Sequence, residues 1–255
     1  MHPTLFLIDF DGTITLKYDA QWNSLTSIMA ILRQWDYLWD EYKLESQALF
    51  DHYYALELDP SHTPPQKIQI MDERRRKHYE VLRKYWLTKR HIQQAINSWA
   101  LQIRPWTDAL FEYIRESWSY AVIFSANGLW TIAIEMAAQK YDLPLDQYTI
   151  ISNSHDWNED GTMSTEHEPV ITSANKHTII AADYPPELTK KLSTFTHWVV
   201  LGDSIWDLGM QQFSPLESVQ TFWFAHPNQV DEFTQQFDHV LWERASFEEV
   251  INLLK

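Results

Sequence analysis

The sequence predicts an α/β protein, with a doubly wound parallel sheet of the Rossmann-like type and an all-helical domain inserted after the first strand. Three observations predict this fold. From Pro105 onward, short apolar runs alternate with helical patterns, which is typical of strand-helix-strand units. Residues 19–100 contain little strand-like sequence and much helical periodicity. The first apolar run, Leu5 to Ile8, ends in two aspartates, and ligands of parallel sheets bind at the carboxyl ends of the strands.

Composition narrows the class of function. The chain has 35 acidic and 20 basic residues and a formal charge of −15, so it would repel a phosphate backbone and no nucleic-acid partner is expected. The absence of cysteine excludes disulfides and thiolate metal sites. No run of about 18 apolar residues and no charged leader is present, so we expect a cytoplasmic protein with no membrane partner. The sequence leaves the oligomeric state open.

The predicted domains are an α/β core over residues 1–16 and 105–255 and a helical cap over 17–104. Within the cap, apolar residues from Leu25 to Trp39 recur at spacings of three and four, which predicts a first amphipathic helix. A second helix is predicted over Glu41 to Leu56. A third begins at Thr63 to Gln66, where proline occupies the first turn.

The third helix contains a basic run from Arg74 to Lys77. Asp72 and Glu73 lie four residues before Arg76 and Lys77, which is the favourable order for helical ion pairs. In so acidic a chain, the run is predicted to be a solvated helix face rather than a basic binding patch.

In the second half of the chain the predicted elements follow one another closely. They are a helix over Thr107–Glu116, a strand over Tyr120–Phe124, a helix over Leu129–Tyr141, a strand over Tyr148–Ile151, a hairpin, a short helix near Lys176, a strand over Trp198–Leu201, a helix over Ile205–Gln212, a strand over Val219–Phe224, a helix over Asn228–Phe237 and a final helix capped by Ser246.

A calcium-like loop runs from Asp156 to Gly161. It copies the first half of a calcium-binding loop, but His167 stands where that loop needs a bidentate glutamate. The flanking helices are also missing. A hairpin turn at Asp160 and Gly161 is predicted instead.

Candidate site residues follow several of the predicted strands. Asp9 and Asp11 are two apart and leave the first strand on the same side, although on their own they could be only a polar turn. Because parallel strands point their carboxyl ends at one rim, residues far apart in sequence can meet there. The further candidate site residues are Ser125, Lys176, Asp203 and Asp207. Carboxylates without histidine or cysteine suit Mg²⁺, and lysine and serine suit a phosphoryl group.

This set of motifs resembles the haloacid dehalogenase superfamily, specifically its phosphatases. Across most of the chain, the sequence is similar to the pyrimidine 5′-nucleotidases. The stretches that carry this likeness are Tyr53 to Pro60, Ile123 to Ala126, Ile151 to Asn153, Asn175 to His177 and Leu201 to Ser204. The chain departs from the family pattern at Asn127, where the family has glycine, and near Leu16 to Tyr18, where an aromatic residue is replaced.

The resemblance implies Mg²⁺-dependent hydrolysis of a phosphomonoester, with nucleoside monophosphates that carry a pyrimidine base as the expected substrates. It makes Asp9 the nucleophile that forms a phosphoaspartate, and Asp11 the proton donor and acceptor. It also implies metal binding by Asp9, Asp203 and the main-chain carbonyl of Asp11, and phosphate binding by Ser125, Ala126 and Lys176. By the same resemblance, Lys176 is in addition a catalytic residue, Asp207 supports the site, and Glu73 in the cap recognises the base.

Two other functions remain open from the sequence. The first is a phosphatase of the same superfamily for another small ester, such as a phosphorylated amino acid or a sugar phosphate. The second is a catalytically silent binding protein on the same fold. Every catalytic position is filled by a chemically competent residue, which argues against the silent protein.

Overall fold

A parallel sheet forms the centre of the protein in the computed structural model, which describes residues 3–19, 25, 27–34, 36–144, 148–176, 186–213, 218–226 and 234–255, with the backbone alone at 211–213. Six described strands form this sheet in the order β3-β2-β1-β6-β7-β8, and every pairing in it is parallel. The strands are β1 Thr4–Ile8, β2 Tyr120–Phe124, β3 Tyr148–Ile151, β6 His197–Gly202, β7 Ser218–Ala225 and β8 His239–Trp242. The predicted fold class is confirmed.

Strand β1 lies in the middle of the sheet, with β2 and β3 on one side and β6, β7 and β8 on the other. It pairs with β2 on one side and with β6 on the other, so that Ile8 faces Ile123 and Leu201 across the two ladders. The strand order reverses at β1, and ligands of such sheets bind in the crevice where the order reverses. The carboxyl ends of β1, β2 and β6 therefore define the expected position of a site.

Both faces of the sheet are covered. Phe6 and Ile8 belong to one hydrophobic cluster, and Leu5 and Leu7 belong to another, because successive side chains of a strand point to opposite faces. The first cluster includes residues of the sheet-covering helices α5, α6 and α8, and the second includes Leu192 of α7. The bounds of these helices are α5 Thr107–Glu116, α6 Trp130–Lys140, α7 Pro186–Leu192 and α8 Phe247–Leu254.

A helical insert, defined here as residues 28–97, separates β1 from β2. Its described helices are α1 Ile28–Gln34, α2 Asp40–Leu58, α3 Pro64–Lys84 and α4 Lys89–Asn97. The segments that enter and leave it run side by side: the Leu16 N–H donates to the Gln102 carbonyl at 2.9 Å, and the Arg104 N–H donates to the Ile14 carbonyl at 2.7 Å. These two bonds lie at the predicted domain division, 16/17 and 104/105, which itself stays a prediction.

The predicted elements match the observed ones closely, with a few differences. The first helix is shorter than predicted, and the segment predicted as a helix from Ile205 is a 3₁₀ helix over Ile205–Phe213. A short 3₁₀ helix, Ser173–Asn175, precedes Lys176. The helix predicted over Asn228–Phe237 lies mostly outside the described residues. Helices α4 and α7 and strand β8 were not individually predicted; they have nine, seven and four residues.

The hairpin prediction at Asp160 and Gly161 is confirmed. Antiparallel strands β4, His155–Trp157, and β5, Met163–Glu166, flank the turn. Gly161 adopts φ +81°, a conformation that glycine reaches at no steric cost. The hairpin packs on the insert, since the Met163 N–H donates to the Leu87 carbonyl at 2.8 Å. Across the described chain, we find no helix with the length and apolar character needed to cross a membrane.

Candidate active site

Asp9 and Asp11 emerge from the carboxyl end of β1 into a tight turn. The Asp9 N–H still donates to the Leu201 carbonyl at 2.9 Å, which fixes the start of the turn to β6. Gly12 has φ +83°, and a Cβ added there would collide with the Asp203 carboxylate and with Lys17. Glycine is therefore required at this position for both conformation and space.

A buried arginine holds the backbone of the same turn in place through hydrogen bonds. The Arg104 guanidinium, fully buried, donates to the carbonyls of Thr13 at 2.6 Å and Gly12 at 2.8 Å. It also donates to the carbonyls of Glu243 and Ala245, both at 2.7 Å. One side chain thus ties the turn after β1 to the segment that precedes α8.

The Lys176 ammonium lies between two buried carboxylates. Its Nζ donates to Asp9 Oδ1 at 2.5 Å and to Asp207 Oδ1 at 2.7 Å. Burial alone would lower the pKa of Lys176, but the charges of Asp207 and Asp9 outweigh it and raise that pKa above its ordinary value. Burial also raises the pKa of Asp9 and of Asp207, in spite of the neighbouring ammonium. The lysine holds both carboxylates in place.

Asp207 also organises the loop that follows β6. Its Oδ2 accepts the backbone N–H groups of Asp203 at 3.2 Å and Ser204 at 3.1 Å. A Cβ at Gly202 would collide with the Asp207 side chain, so the glycine allows this close approach. Asp203 is consequently held next to the turn after β1.

A cluster of three carboxylates results. Asp9, Asp203 and Asp207 each place one oxygen within 4.8 Å of the others. Lys17 forms an ion pair with Asp203, which adds a second ammonium to the cluster. Carboxylate oxygens at this spacing are the hard ligands that Mg²⁺ prefers. One Asp11 oxygen, Oδ1, is buried without a hydrogen-bond partner, so a polar position next to the cluster is open to a further group.

The loop after β2 faces this cluster. Ser125 is buried and its Oγ accepts the Asn127 N–H at 3.0 Å. Asn127 Nδ2 donates to Asp11 Oδ2 at 2.8 Å, and its Oδ1 accepts the Leu129 N–H at 2.7 Å. Asn127 therefore fixes the orientation of the Asp11 carboxyl group. Burial raises the pKa of Asp11 to about 6, although the Asn127 hydrogen bond works against that rise.

The structure brings Asp9, Asp11, Ser125, Lys176, Asp203 and Asp207 together, with Ala126 in the loop beside Ser125. It does not bring Glu73 there. Glu73 is exposed on α3, where its Oε1 accepts the Tyr53 hydroxyl at 2.8 Å. Successive residues of a helix are turned by about 100°, so the neighbours of Glu73 point elsewhere.

The prediction of a solvated face for the basic run from Arg74 to Lys77 is only partly right. Arg76 does lie on the surface and pairs with Asp72 at 2.9 Å, as the four-residue spacing predicts. Lys77 pairs with Glu80 at 3.1 Å rather than with Glu73. Arg74 and Arg75, however, line a cavity next to Asp11, so the run is not a uniformly solvated face.

Sequence reasoning missed several residues that shape the site. Asn127 was noted only as a departure from the family pattern, and its position two residues after Ser125 was the available signal. Lys17 lay in the second departure from that pattern. Arg75 Nη2 donates to the Ala126 carbonyl at 2.8 Å, and Arg104 fixes the turn after β1. No short-range pattern distinguishes these two arginines from surface arginines.

Solved structures share this fold. Cytosolic 5′-nucleotidase IIIB, in a structure bound to cytidine, superposes with a TM-score of 0.84 at 23% identity, covering 99% of this chain and 85% of that one. A phospho-aspartyl intermediate analogue of phosphoserine phosphatase superposes with a TM-score of 0.61 at 16% identity over the full length of both chains. The chain therefore shares the fold of these phosphatases, with a cluster of buried carboxylates at the carboxyl ends of its central strands.

The family follows from the sequence comparisons. The chain belongs to the pyrimidine 5′-nucleotidase (UMPH-1) family, whose model matches residues 13–255. Among curated relatives, 7-methylguanosine phosphate-specific 5′-nucleotidase A of Xenopus laevis is 25% identical over 230 residues, which is 90% of this chain and 77% of the relative. The 7-methylguanosine phosphate-specific 5′-nucleotidase of Homo sapiens is 28% identical over 207 residues, 81% of this chain and 67% of the relative.

Proposed function

We propose that this phosphatase is a Mg²⁺-dependent 5′-nucleotidase that hydrolyses nucleoside monophosphates through a phosphoaspartate on Asp9. The observation that carries the proposal is the position of the Lys176 ammonium, which bridges Asp9 and Asp207 inside the carboxylate cluster. A carboxylate can attack a phosphate dianion only where positive charge compensates the repulsion. Lys176 supplies such charge at the nucleophile itself.

Each residue then has a defined role. Asp9 attacks phosphorus, and the bond from phosphorus to the ester oxygen breaks. Asp11 gives its proton to the departing alcohol and next removes a proton from the water that attacks phosphorus, which frees Asp9 and inorganic phosphate. Lys176, Ser125 and the loop at Ala126 hold the phosphoryl oxygens.

The metal would be held by Asp9, Asp203 and the main-chain carbonyl of Asp11, with Asp207 in support. When bound, Mg²⁺ supplies charge neutralisation for the transferred phosphoryl group. The donor set supports this cofactor because it consists of carboxylates with no nitrogen or sulfur ligand among Asp9, Asp203 and Asp207.

The substrate class rests on the family and on the relatives. Their names refer to nucleotide substrates, and a structural neighbour binds cytidine. We expect the helical insert to act as a cap that closes over the site and excludes water during the first step. The preference for a pyrimidine base and the cytoplasmic location stay predictions from the sequence.

The decisive experiment compares the wild type with Asp9→Asn and with Asp108→Asn, an exposed aspartate on α5. Phosphate release is measured with nucleoside monophosphates, phosphoserine and a sugar phosphate, with Mg²⁺ and with excess chelator. We expect Asp9→Asn to lose turnover while its circular dichroism spectrum is unchanged, Asp108→Asn to retain turnover, and chelator to abolish it. Retained turnover in folded Asp9→Asn would contradict the proposal, and faster release from phosphoserine or the sugar phosphate would overturn the nucleotide assignment.

A further inference from the structure

Two adjoining cavities separate the insert from the turn after β1. The smaller has a volume of about 150 Å³ and the larger of about 500 Å³. Their shared lining residues are Asp11, Ser27, Ala30, Arg33 and Phe50. Because Asp11 lies at their border with the catalytic carboxylates, the part of a substrate that leaves with the ester oxygen would occupy this space.

The lining of these cavities is cationic, although the chain as a whole carries a charge of −15. Arg33, Arg74 and Arg75 line the smaller cavity, and Lys17 and Arg33 line the larger one. Asp11 is the single carboxylate among the described residues that line either cavity. The excess of positive charge is therefore local to the space for the leaving group.

Two of these cations already have carboxylate partners. Lys17 pairs with Asp203. Arg74 Nη1 lies 3.0 Å from Oε1 of the buried Glu57. Their charges are balanced within the protein, so they add little net attraction for a ligand.

Arg33 and Arg75 are different, because neither forms an ion pair with a carboxylate of the described chain. Arg33 Nε is buried without a hydrogen-bond partner, and its guanidinium carbon lies 4.3 Å from the centre of the Phe50 ring. The nearby Asp51 instead accepts a hydrogen bond from Gln47 at 2.6 Å. Arg75 donates a hydrogen bond to the carbonyl of Ala126, and its charge acts on Asp11 and Glu57 without a direct ion pair to either.

A partly buried guanidinium without a directly paired carboxylate is less favourable than a paired one, and a ligand anion that reaches it supplies that direct partner. The same charge disfavours a cationic ligand. Guanine methylated at N7, the base named for the Xenopus and human relatives, carries a positive charge. Arg33 and Arg75 would repel such a base.

We infer that the preferred substrate is a phosphate monoester whose leaving group carries a second anionic group, a phosphate or a carboxylate, which Arg33 and Arg75 bind in these cavities. This inference rests on the proposed function, since it assigns the substrate class of the same site. A nucleoside 3′,5′-bisphosphate combines this feature with the substrate class of the family.

The test uses two pairs of substrates that differ by one anionic group. Uridine 3′,5′-bisphosphate is compared with uridine 5′-monophosphate, and phosphoserine with phosphoethanolamine, so the two pairs distinguish a phosphate from a carboxylate. In at least one pair, we expect kcat/KM to be higher for the more anionic substrate by about tenfold or more, the factor that one charge-assisted hydrogen bond supplies. 7-Methylguanosine 5′-monophosphate should be a poorer substrate than uridine 5′-monophosphate.

Substitutions of Arg33 and Arg75 test whether these arginines cause the preference for the more anionic substrate. Arg33→Met and Arg75→Met should each bring the ratio of the preferred pair toward one, whereas Arg33→Lys, which keeps the charge, should retain most of it. Arg90→Met, at an exposed arginine on α4 of the same insert, should leave the ratio unchanged. A ratio that survives both methionine variants overturns the inference.

The outcome separates this inference from the proposed function. If an aryl phosphate is hydrolysed but both ratios are near one, or if 7-methylguanosine 5′-monophosphate is preferred, the inference fails and the phosphatase assignment stands. If no ester is hydrolysed, the proposed function fails, and thermal unfolding decides the inference. A larger rise in Tm with the more anionic member of at least one of the two pairs then supports it, and equal rises within both pairs overturn it.

Discussion

Replacing Arg104 by methionine should destabilise the protein strongly. The guanidinium is fully buried and donates to carbonyl oxygens of Gly12, Thr13, Glu243 and Ala245 at 2.6–2.8 Å. Burial lowers its pKa to about 10, so it remains charged at neutral pH and the bonds are charge-assisted. Each orphaned carbonyl costs about 1 kcal/mol or more. Because four carbonyls lose their donor, we expect the free energy of unfolding to fall by about 3–5 kcal/mol.

Urea unfolding followed by tryptophan fluorescence measures this loss, with the midpoint and the slope reported separately. The matched control is Arg115→Met, at an exposed arginine of α5 that pairs with Glu112. The control should change the free energy of unfolding by about 0.5 kcal/mol or less. A loss below about 1 kcal/mol in Arg104→Met would show that the carbonyls find other partners or water, and the anchoring role would be refuted.

Three further predictions follow from the geometry. Lys176→Met should lower kcat by about 10³-fold or more, because the ammonium that compensates the negative charge at Asp9 is lost. A phosphate-release assay that shows near wild-type kcat would contradict this. Trp118 is 86% exposed and adopts φ +56°, a conformation that is strained for a bulky residue and unstrained for glycine. Trp118→Gly should therefore raise the free energy of unfolding by about 0.4–1 kcal/mol, and a lower urea midpoint would count against this. Burial lowers the pKa of His78 to about 3, so its neutral form favours the folded state at neutral pH, and that stabilisation is lost as pH falls from about 6.5 toward 3. Urea midpoints should therefore drop less with acid in His78→Gln than in the wild type, and parallel pH profiles would refute the assignment.

The sequence determined the strands and the motifs that follow them. The apolar run from Leu5 to Ile8 is continuous because both faces of β1 are covered, and such a run is visible without any structure. The carboxyl end of a buried strand is likewise visible, so the positions of Asp9, Ser125 and Asp203 at one rim could be predicted. Local periodicity also predicted α2, α3 and the hairpin at Gly161, since these depend on residues a few positions apart.

Only the tertiary structure decided which side chains meet. Lys176 and Asp9 are separated by 167 residues, and Asn127 and Asp11 by 116. A contact over such separations depends on how the sheet and insert pack, and the composition of either partner does not specify it.

The basic run of α3 shows the same limit on a single helix. Charge spacing correctly paired Arg76 with Asp72, because that interaction needs only the helical repeat. Whether Arg75 faces water or the Ala126 carbonyl depends on the rotation of α3 about its axis, which its packing against the rest of the molecule sets. The sequence by itself therefore determined the chemistry available at the sheet edge, and the tertiary structure decided which charges the leaving group meets, because burial and charge compensation are properties of packing.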